Sequence, residues 1–184
     1  MAESGKVHDR ELLDALERIE PEAFSGAAWR ATWATRDPLR GSAVGGRWTP
    51  ANAFEALNTS LEPDGAISET YFHLSRAPVF SSAYLKLHRI HVETKQSLRL
   101  ANVGALAPFG VDDGMLKRMN YERTQAIGAA AYFLEFDGLI VPSARWPCLN
   151  LILFLDRLNL DLALRIEETH DINWPAWREQ HSIP

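Results

Sequence analysis

Cysteine and long apolar segments are nearly absent from this sequence, and each absence excludes some classes of protein. The one cysteine, Cys148, cannot form a disulfide bond within the chain, which favours a cytosolic setting. The longest apolar run, residues 149–155, contains Asn150 and is far too short to span a membrane. The N-terminal segment is polar and lacks the apolar core of a signal peptide. We therefore predict a soluble, cytoplasmic protein that does not bind a membrane.

Clustered positive charge is also missing. The 184 residues carry a net charge of −5, and no block of lysine and arginine stands out. Domains that bind nucleic acid usually present a basic face, so we expect no direct binding of nucleic acid. The apolar fraction of 46% and the charged fraction of 23% are ordinary for a globular protein. The length is that of one domain.

Hydrophobic spacing predicts many strands and a few helices in mixed order, which is typical of an α+β fold in a single compact domain. Residues 1–8 are expected to form a loose tail. The predicted helices cover residues 9–19, 66–74 and 121–134, with one helical turn at 174–178. The predicted strands cover residues 29–33, 54–57, 84–93, 97–100, 139–141, 149–154 and 160–166.

A loop rich in glycine and proline covers residues 36–50. Gly41 and Gly46 have the spacing of a phosphate-binding P-loop, but Arg47 and Trp48 replace the lysine and the Ser/Thr that such a loop requires. We therefore exclude a nucleotide triphosphatase. Glycines still allow backbone N–H groups to approach an anion, and an arginine beside them can bind a phosphate through two hydrogen bonds. The alternative is a surface turn with a solvated arginine.

Three further polar residues have both a functional and an ordinary interpretation. Arg30 lies between two tryptophans on a predicted strand, where it either stacks on the rings or points into a polar pocket. Glu69 is either a solvated glutamate or the carboxylate of a site. Ser143 follows a buried strand and is either a turn residue or a ligand contact; its surroundings do not match an esterase nucleophile. Together these residues suit an anionic ligand without naming it.

Metal and thiol chemistry are not expected. His88 and His91 would face opposite sides of a strand, and no cluster of cysteines or carboxylates completes a metal site. We interpret them as surface or packing histidines. Cys148 has no histidine near it in the sequence, so a buried free cysteine is a better interpretation than a nucleophile.

The order of these features resembles the RES-domain family, named for Arg, Glu and Ser. The resemblance covers about residues 24–168, which we predict to be the catalytic, NAD-binding domain, flanked by an N-terminal tail and helix (1–23) and a C-terminal tail (169–184). The matching features are Trp29-Arg30, then Gly45-Gly46-Arg47-Trp48 with Pro50, then Glu69, and finally the segment GLIVPS at 138–143 followed by Asn150.

This resemblance implies a toxin of a toxin–antitoxin module, with a fold similar to that of ADP-ribosylating toxins. Such proteins cleave NAD+ between nicotinamide and ribose without a metal, and positive charge develops on the ribose as the bond breaks. The implied partner is an antitoxin with an Xre-like helix-turn-helix region that covers the active site. The implied catalytic residues are Glu69 and Arg30, and the implied NAD-binding residues are Arg30, Arg47, Gly46, Trp48, Asn58, Ser143 and Asn150.

One position departs from the family pattern. A tyrosine usually follows the glycine–arginine loop, and here Asn58 takes its place. Asparagine would leave the nicotinamide side more open to a bulky acceptor, so we predict transfer of ADP-ribose to a protein. In the alternative, Tyr71, Phe72 or Trp48 fills the gap and the protein degrades NAD+ with phosphate or water as acceptor. A non-catalytic module that binds a nucleotide or a partner, and an unrelated small-molecule hydrolase, also remain open.

Overall fold

A six-stranded sheet organises the part of the chain that the computed structural model describes, residues 9–76 and 84–182. The strands are β1 (Glu22–Trp33), β2 (Ala56–Ser60), β3 (Leu85–Arg99), β4 (Gly138–Pro142), β5 (Leu149–Phe154) and β6 (Leu164–Asp171). The helices are α1 (Arg10–Glu17), α2 (Pro63–Leu74), α3 (Val103–Leu106), α4 (Asp113–Lys117), α5 (Glu122–Phe133), α6 (Leu160–Ala163) and α7 (Trp174–Gln180). Turns of 3-10 helix follow α3 and β5.

The strand order is β1-β2-β5-β4-β3-β6, and the sheet closes on itself because β1 also pairs with β3. Only the β3–β4 pair is parallel among these pairings. Strand β5 lies between β2 and β4, so Asn150 is opposite Ser60 on one side and Val141 on the other. This register places the first residues of β5 next to the end of β2, shortly before α2 begins.

Apolar side chains cover both faces of the sheet. On one face α1 and α5 pack against β2, β4 and β5, and Leu16 and Ile127 are fully buried there. On the other face a second cluster includes Leu57, Ile90 and Leu151. Helix α7 adds a third cluster, in which Trp174 and Trp177 pack against α2. No helix within the described ranges combines the length and the apolar character needed to cross a membrane.

The predicted α+β class in one domain is confirmed, and so are most of its elements. The helices expected at 9–19, 66–74 and 121–134 are found as α1, α2 and α5. Asp9 caps α1, since its side chain accepts hydrogen bonds from the backbone N–H groups of Glu11 and Leu12. The turn expected at 174–178 is the longer helix α7.

Three errors affect the predicted strands, besides β1, which begins at Glu22 and not at Trp29. Residues 84–93 and 97–100 form one strand, β3, because the carboxylate of Asp137 accepts hydrogen bonds from the backbone N–H groups of Lys95 and Gln96 between them. The strand expected at 54–57 begins at Ala56, since Phe54 instead stacks on Tyr132.

The third error concerns residues 160–166, where alternating leucines predicted a strand with one buried face. The backbone N–H groups of Leu162 and Ala163 donate to the carbonyl of Asn159, so a helical turn forms before β6 begins at Leu164. Leu162 is 76% exposed, which shows that the alternation does not mark a core face.

The domain boundaries placed at residues 24 and 168 stay a prediction. Helix α1 packs into the main core, β6 continues to Asp171, and α7 packs on α2. The tail expected at residues 1–8 lies outside the described residues, as do residues 183–184 at the end of the predicted C-terminal tail.

Candidate active site

A cavity of about 370 Å³ lies between the glycine loop, β1, β2 and α2, and its volume is typical of a small-molecule site. The predicted site residues on its wall are Arg30, Gly46, Arg47, Trp48, Asn58, Glu69 and Asn150. Ser143 is not on the wall, but its hydroxyl is bonded to Glu69. The structure therefore brings together all the residues that the sequence singled out for a site.

Glu69 is the acidic centre of this cavity. The Ser143 hydroxyl donates a hydrogen bond to Glu69 Oε1 at 2.8 Å, and Asn150 Nδ2 donates to the same oxygen at 3.2 Å. Helix α2 begins with Pro63 and buries Ala66, which leaves Glu69 half-buried at the cavity wall. Within the described residues no hydrogen bond involves Oε2, so that oxygen is available to a ligand.

Two buried polar atoms of cavity-lining residues have no hydrogen-bond partner among the described residues. They are Nε1 of Trp48, a donor, and Oδ1 of Asn150, an acceptor. An unpaired buried polar group costs about 1–3 kcal/mol, so most such groups in proteins have a partner. Both atoms are inaccessible to solvent in this structure, so a ligand in the cavity could bond to them only after a local shift of the wall.

The glycine loop is held in place by α5. Gln125 Nε2 donates to the carbonyl of Gly46 at 2.9 Å, and the Thr124 hydroxyl donates to the carbonyl of Arg47 at 2.6 Å. The backbone N–H of Gly46 donates to the carbonyl of Thr49 at 2.8 Å. That N–H is therefore not free for an anion, contrary to our expectation for this glycine.

The Arg47 side chain is oriented by two contacts. Its Nη1 donates to the carbonyl of Arg118 at 3.1 Å, and its guanidinium lies 4.5 Å from the centre of the Tyr121 ring. Burial lowers the pKa of Arg47, and the neighbouring Arg145 lowers it further, while Tyr121 and Glu69 oppose the shift. The charges of Arg47, Arg145 and Glu69 therefore interact at this end of the cavity.

Arg30 points into the polar cavity rather than stacking between its neighbouring tryptophans. Its Nη1 donates to the carbonyls of Pro38 at 2.8 Å and Arg40 at 2.9 Å. Burial, together with Arg36, lowers the pKa of Arg30 to about 10, so it stays protonated at neutral pH. Arg30 therefore both lines the cavity and holds the loop that leads to Arg47.

Sequence reasoning missed Arg145 and Tyr121, which line the cavity together with Phe72. The guanidinium of Arg145 lies 3.4 Å from the centre of the Phe72 ring, and its Nη1 donates to the carbonyl of Lys117 at 3.2 Å. No motif marks Arg145. Two features of the sequence could have pointed to it. Arg145 comes two residues after Ser143, and its partner Phe72 comes three residues after Glu69 on the same helix.

Asn58 lies exposed on β2 at the cavity wall, where the family pattern has a tyrosine. Tyr71 does not replace that ring, because it packs against Trp174 and Trp177 in the α7 cluster. Phe72 and Trp48 do line the cavity, together with further rings of Trp29 and Tyr121. The cavity wall therefore contains aromatic rings despite the asparagine.

Two residues that were considered for metal or thiol chemistry, His88 and Cys148, have ordinary structural contacts. His88 is buried between the hydroxyls of Thr32 and Thr169, each 3.0 Å away, and burial lowers its pKa. Cys148 Sγ lies 3.3 Å from the Ser60 hydroxyl, and burial raises the pKa of the thiol. In residues 9–76 and 84–182 no group of His, Cys, Asp or Glu has the arrangement of a metal site.

Comparison with known proteins identifies similar chains. The family model described as the RES domain matches residues 27–178. Relatives named NAD(+) phosphorylase MbcT, from Mycobacterium bovis and Mycobacterium tuberculosis, are 30% identical to this chain; the match covers 72% of this chain and 73% of each relative. Among solved structures, the crystal structure of the M. tuberculosis MbcT–MbcA toxin–antitoxin complex contains a similar chain. It has a TM-score of 0.83 at 24% identity, covering 95% of this chain and 98% of that one.

Proposed function

The chain belongs to the RES domain family, and on this premise we propose that it is a toxin that cleaves NAD+ at the nicotinamide–ribose bond and passes ADP-ribose to inorganic phosphate. The observation that carries the proposal is Glu69, bonded to Ser143 and Asn150 at the wall of a cavity that also contains three arginines. The relatives' name favours this NAD+-degrading alternative over the transfer to protein that Asn58 suggested, and nothing confirms that transfer.

Glu69 is suited to stabilise the breaking bond. As the C–N bond breaks, nicotinamide leaves with the bonding electron pair and positive charge develops on the ribose. A preorganised carboxylate beside the ribose lowers the energy of that charge. Because Ser143 and Asn150 both bind Oε1, the carboxylate is held in one orientation while Oε2 can bind a ribose hydroxyl.

Phosphate is a suitable acceptor because its dianion needs no deprotonation. One phosphate oxygen donates an electron pair to the anomeric carbon while nicotinamide leaves as a neutral molecule. The products are nicotinamide and the anomeric phosphate ester of ADP-ribose, so charge and atoms balance. Water as acceptor would instead release a proton and give free ADP-ribose.

Incubation of the purified chain with NAD+, with and without phosphate, tests the proposal directly. Release of nicotinamide together with the phosphate ester supports it. Absence of nicotinamide release under both conditions would favour a non-catalytic binding module. With labelled NAD+ and cell extract, a discrete labelled protein band with little loss of NAD+ would instead favour transfer to a protein.

We predict that Arg47→Ala weakens NAD+ binding by about 10–150-fold, because it removes a charge-assisted contact worth roughly 1.5–3 kcal/mol. Calorimetry in a Glu69→Gln background avoids turnover during the titration. Arg47→Lys should not restore full affinity, since lysine lacks the planar fork of donors. Arg10→Ala, at an exposed arginine on α1, is the matched control and should bind like the parent. Equal affinity in the Arg47 and Arg10 variants would remove Arg47 from the NAD+ site.

Arg30→Ala should also weaken binding, but it has a structural component. The substitution removes the hydrogen bonds to the carbonyls of Pro38 and Arg40, so a fall in melting temperature is expected as well. For this reason Arg47, and not Arg30, is the better test of the anion site.

We propose that an antitoxin with an Xre-like region covers this cavity and that the pair acts in the cytoplasm, where NAD+ is consumed. Expression of the chain alone should arrest growth, and the Glu69→Gln variant should not, because toxicity depends on loss of NAD+. Co-expression with the antitoxin should restore growth. Normal growth and normal NAD+ levels in cells that express the folded wild-type chain alone would contradict the toxin proposal.

A further inference from the structure

Hydrogen bonds hold the backbone of Arg145 against helix α2, close to Glu69. Its backbone carbonyl accepts a hydrogen bond from the Ser68 hydroxyl at 3.0 Å, and its backbone N–H donates to the Ser143 hydroxyl at 3.2 Å. That same hydroxyl donates to Glu69. The Arg145 guanidinium lies on the ring of Phe72, which is one helical turn after Glu69, about 4.5 Å along the helix axis. The Arg145 side chain and Glu69 are therefore next to the same face of α2.

The donors of Arg145 are only partly used within the protein. Nη1 donates to the Lys117 carbonyl at 3.2 Å, and Nη2 lies 3.6 Å from the sulfur of Met119. A guanidinium has five N–H donors in a planar fork. The remaining donors of Arg145 can bind a ligand, and the stack on Phe72 limits the directions in which they point.

The charge of the cavity exceeds what NAD+ requires. The wall contains Arg30, Arg47 and Arg145 against one carboxylate, Glu69, which gives a formal charge of +2. NAD+ has a net charge of only one negative unit, because the nicotinamide cation offsets part of the pyrophosphate charge. The excess positive charge suits a second anion bound together with NAD+.

We propose that Arg145 is a specificity-determining residue that binds the inorganic phosphate acceptor next to Glu69, while Arg30 and Arg47 bind the pyrophosphate of NAD+. This inference depends on the proposed cleavage of NAD+. A planar guanidinium binds a phosphate through two parallel hydrogen bonds, which orients the phosphate as well as holding it. Phe72, under the guanidinium, is one helical turn from Glu69, so a phosphate bound to Arg145 would lie on the same face of α2 as the carboxylate proposed to bind the ribose.

Arg145→Gln is the decisive variant, and steady-state kinetics with varied phosphate is the measurement. The KM for phosphate should rise at least about tenfold, while the KM for NAD+ should change less than about twofold. The product should shift from the phosphate ester toward free ADP-ribose. Arg145→Lys keeps the charge but not the fork, so it should restore phosphate use only in part. Arg10→Gln removes one exposed charge outside the cavity and should match the wild type in both constants.

Three results would overturn this inference. The first is an unchanged KM for phosphate in Arg145→Gln. The second is an equal rise of both KM values in Arg145→Gln and Arg145→Lys together with a lower melting temperature, which would make Arg145 a structural clamp. The third is wild-type nicotinamide release that does not depend on phosphate; NAD+ cleavage would then stand and only the acceptor site would fail. Absence of any release by the wild type would instead refute the proposed function itself.

Discussion

Replacing Glu69 by glutamine is expected to lower the rate of nicotinamide release by at least about a hundredfold, which is the typical effect of losing one preorganised electrostatic group. Glutamine has the same shape and still offers an oxygen to Ser143 and Asn150, so the local hydrogen bonds can persist. What is lost is the negative charge that we propose to lie beside the ribose. Chromatographic measurement of nicotinamide at saturating NAD+ reports this loss directly.

The control for this substitution is Glu62→Gln on the same helix. Glu62 is the exposed N-cap residue of α2, and its side chain makes no capping hydrogen bond. Glu62→Gln changes the net charge by the same amount as Glu69→Gln, but Glu62 does not line the cavity. We expect wild-type turnover in Glu62→Gln and equal melting temperatures in both variants. Wild-type turnover in Glu69→Gln would show that the carboxylate is not the group that stabilises the ribose.

The meeting of distant residues at Glu69 could be predicted only through the resemblance of the whole pattern. Glu69 and Asn150 are far apart in the chain, and spacing alone gave each of them an ordinary interpretation. They meet because β5 pairs with both β2 and β4, and because α2 follows β2 directly. Strand pairing is a non-local property, and short-range periodicity does not report it.

Arg145 could not be predicted because its role depends entirely on non-local contacts. Its partners Ser68, Phe72 and Lys117 come from α2 and the end of α4, and no spacing rule connects them to a loop after β4. The misread strand at 160–166 has a related cause. Its alternating leucines match the strand period, but Leu162 is exposed while Leu164 is buried, so they do not share one buried face.

Gly128 allows helix α5 to pack closely on the glycine loop. An added methyl group at Gly128 would lie 1.7 Å from the carbonyl oxygen of Trp48, and carbon contacts under 3.0 Å essentially never occur. Only glycine allows the helix backbone to pack so closely on the glycine loop. Thr124 and Gln125, one turn earlier on α5, hold the same loop through the carbonyls of Arg47 and Gly46.

Gly128→Ala is therefore expected to damage both stability and activity. The methyl group must push the loop and α5 apart by roughly 1 Å, and overpacking of this kind costs about 1–3 kcal/mol. The melting temperature should fall by ~2–4 °C for each kcal/mol lost at this chain length. Because Arg47 is in the displaced loop, a shift of about 1 Å could also lower turnover of NAD+ by roughly a hundredfold. Calorimetric melting and nicotinamide release measure the two effects.

Helix propensity alone predicts that Gly128→Ala raises the stability of the protein, so the measured change in melting temperature distinguishes the two effects. Alanine is favoured over glycine in a helix by about 1 kcal/mol, so Gly128→Ala would stabilise α5 if space allowed. Gly114→Ala in α4 is the matched control, since its methyl group meets no backbone atom within 4 Å; its nearest contact is Oδ1 of the N-cap residue Asp112 at 3.2 Å. That variant should melt close to the wild-type temperature and keep full activity. If Gly128→Ala behaved in the same way, the contact between α5 and the Trp48 carbonyl would not be what positions Arg47 in the cavity.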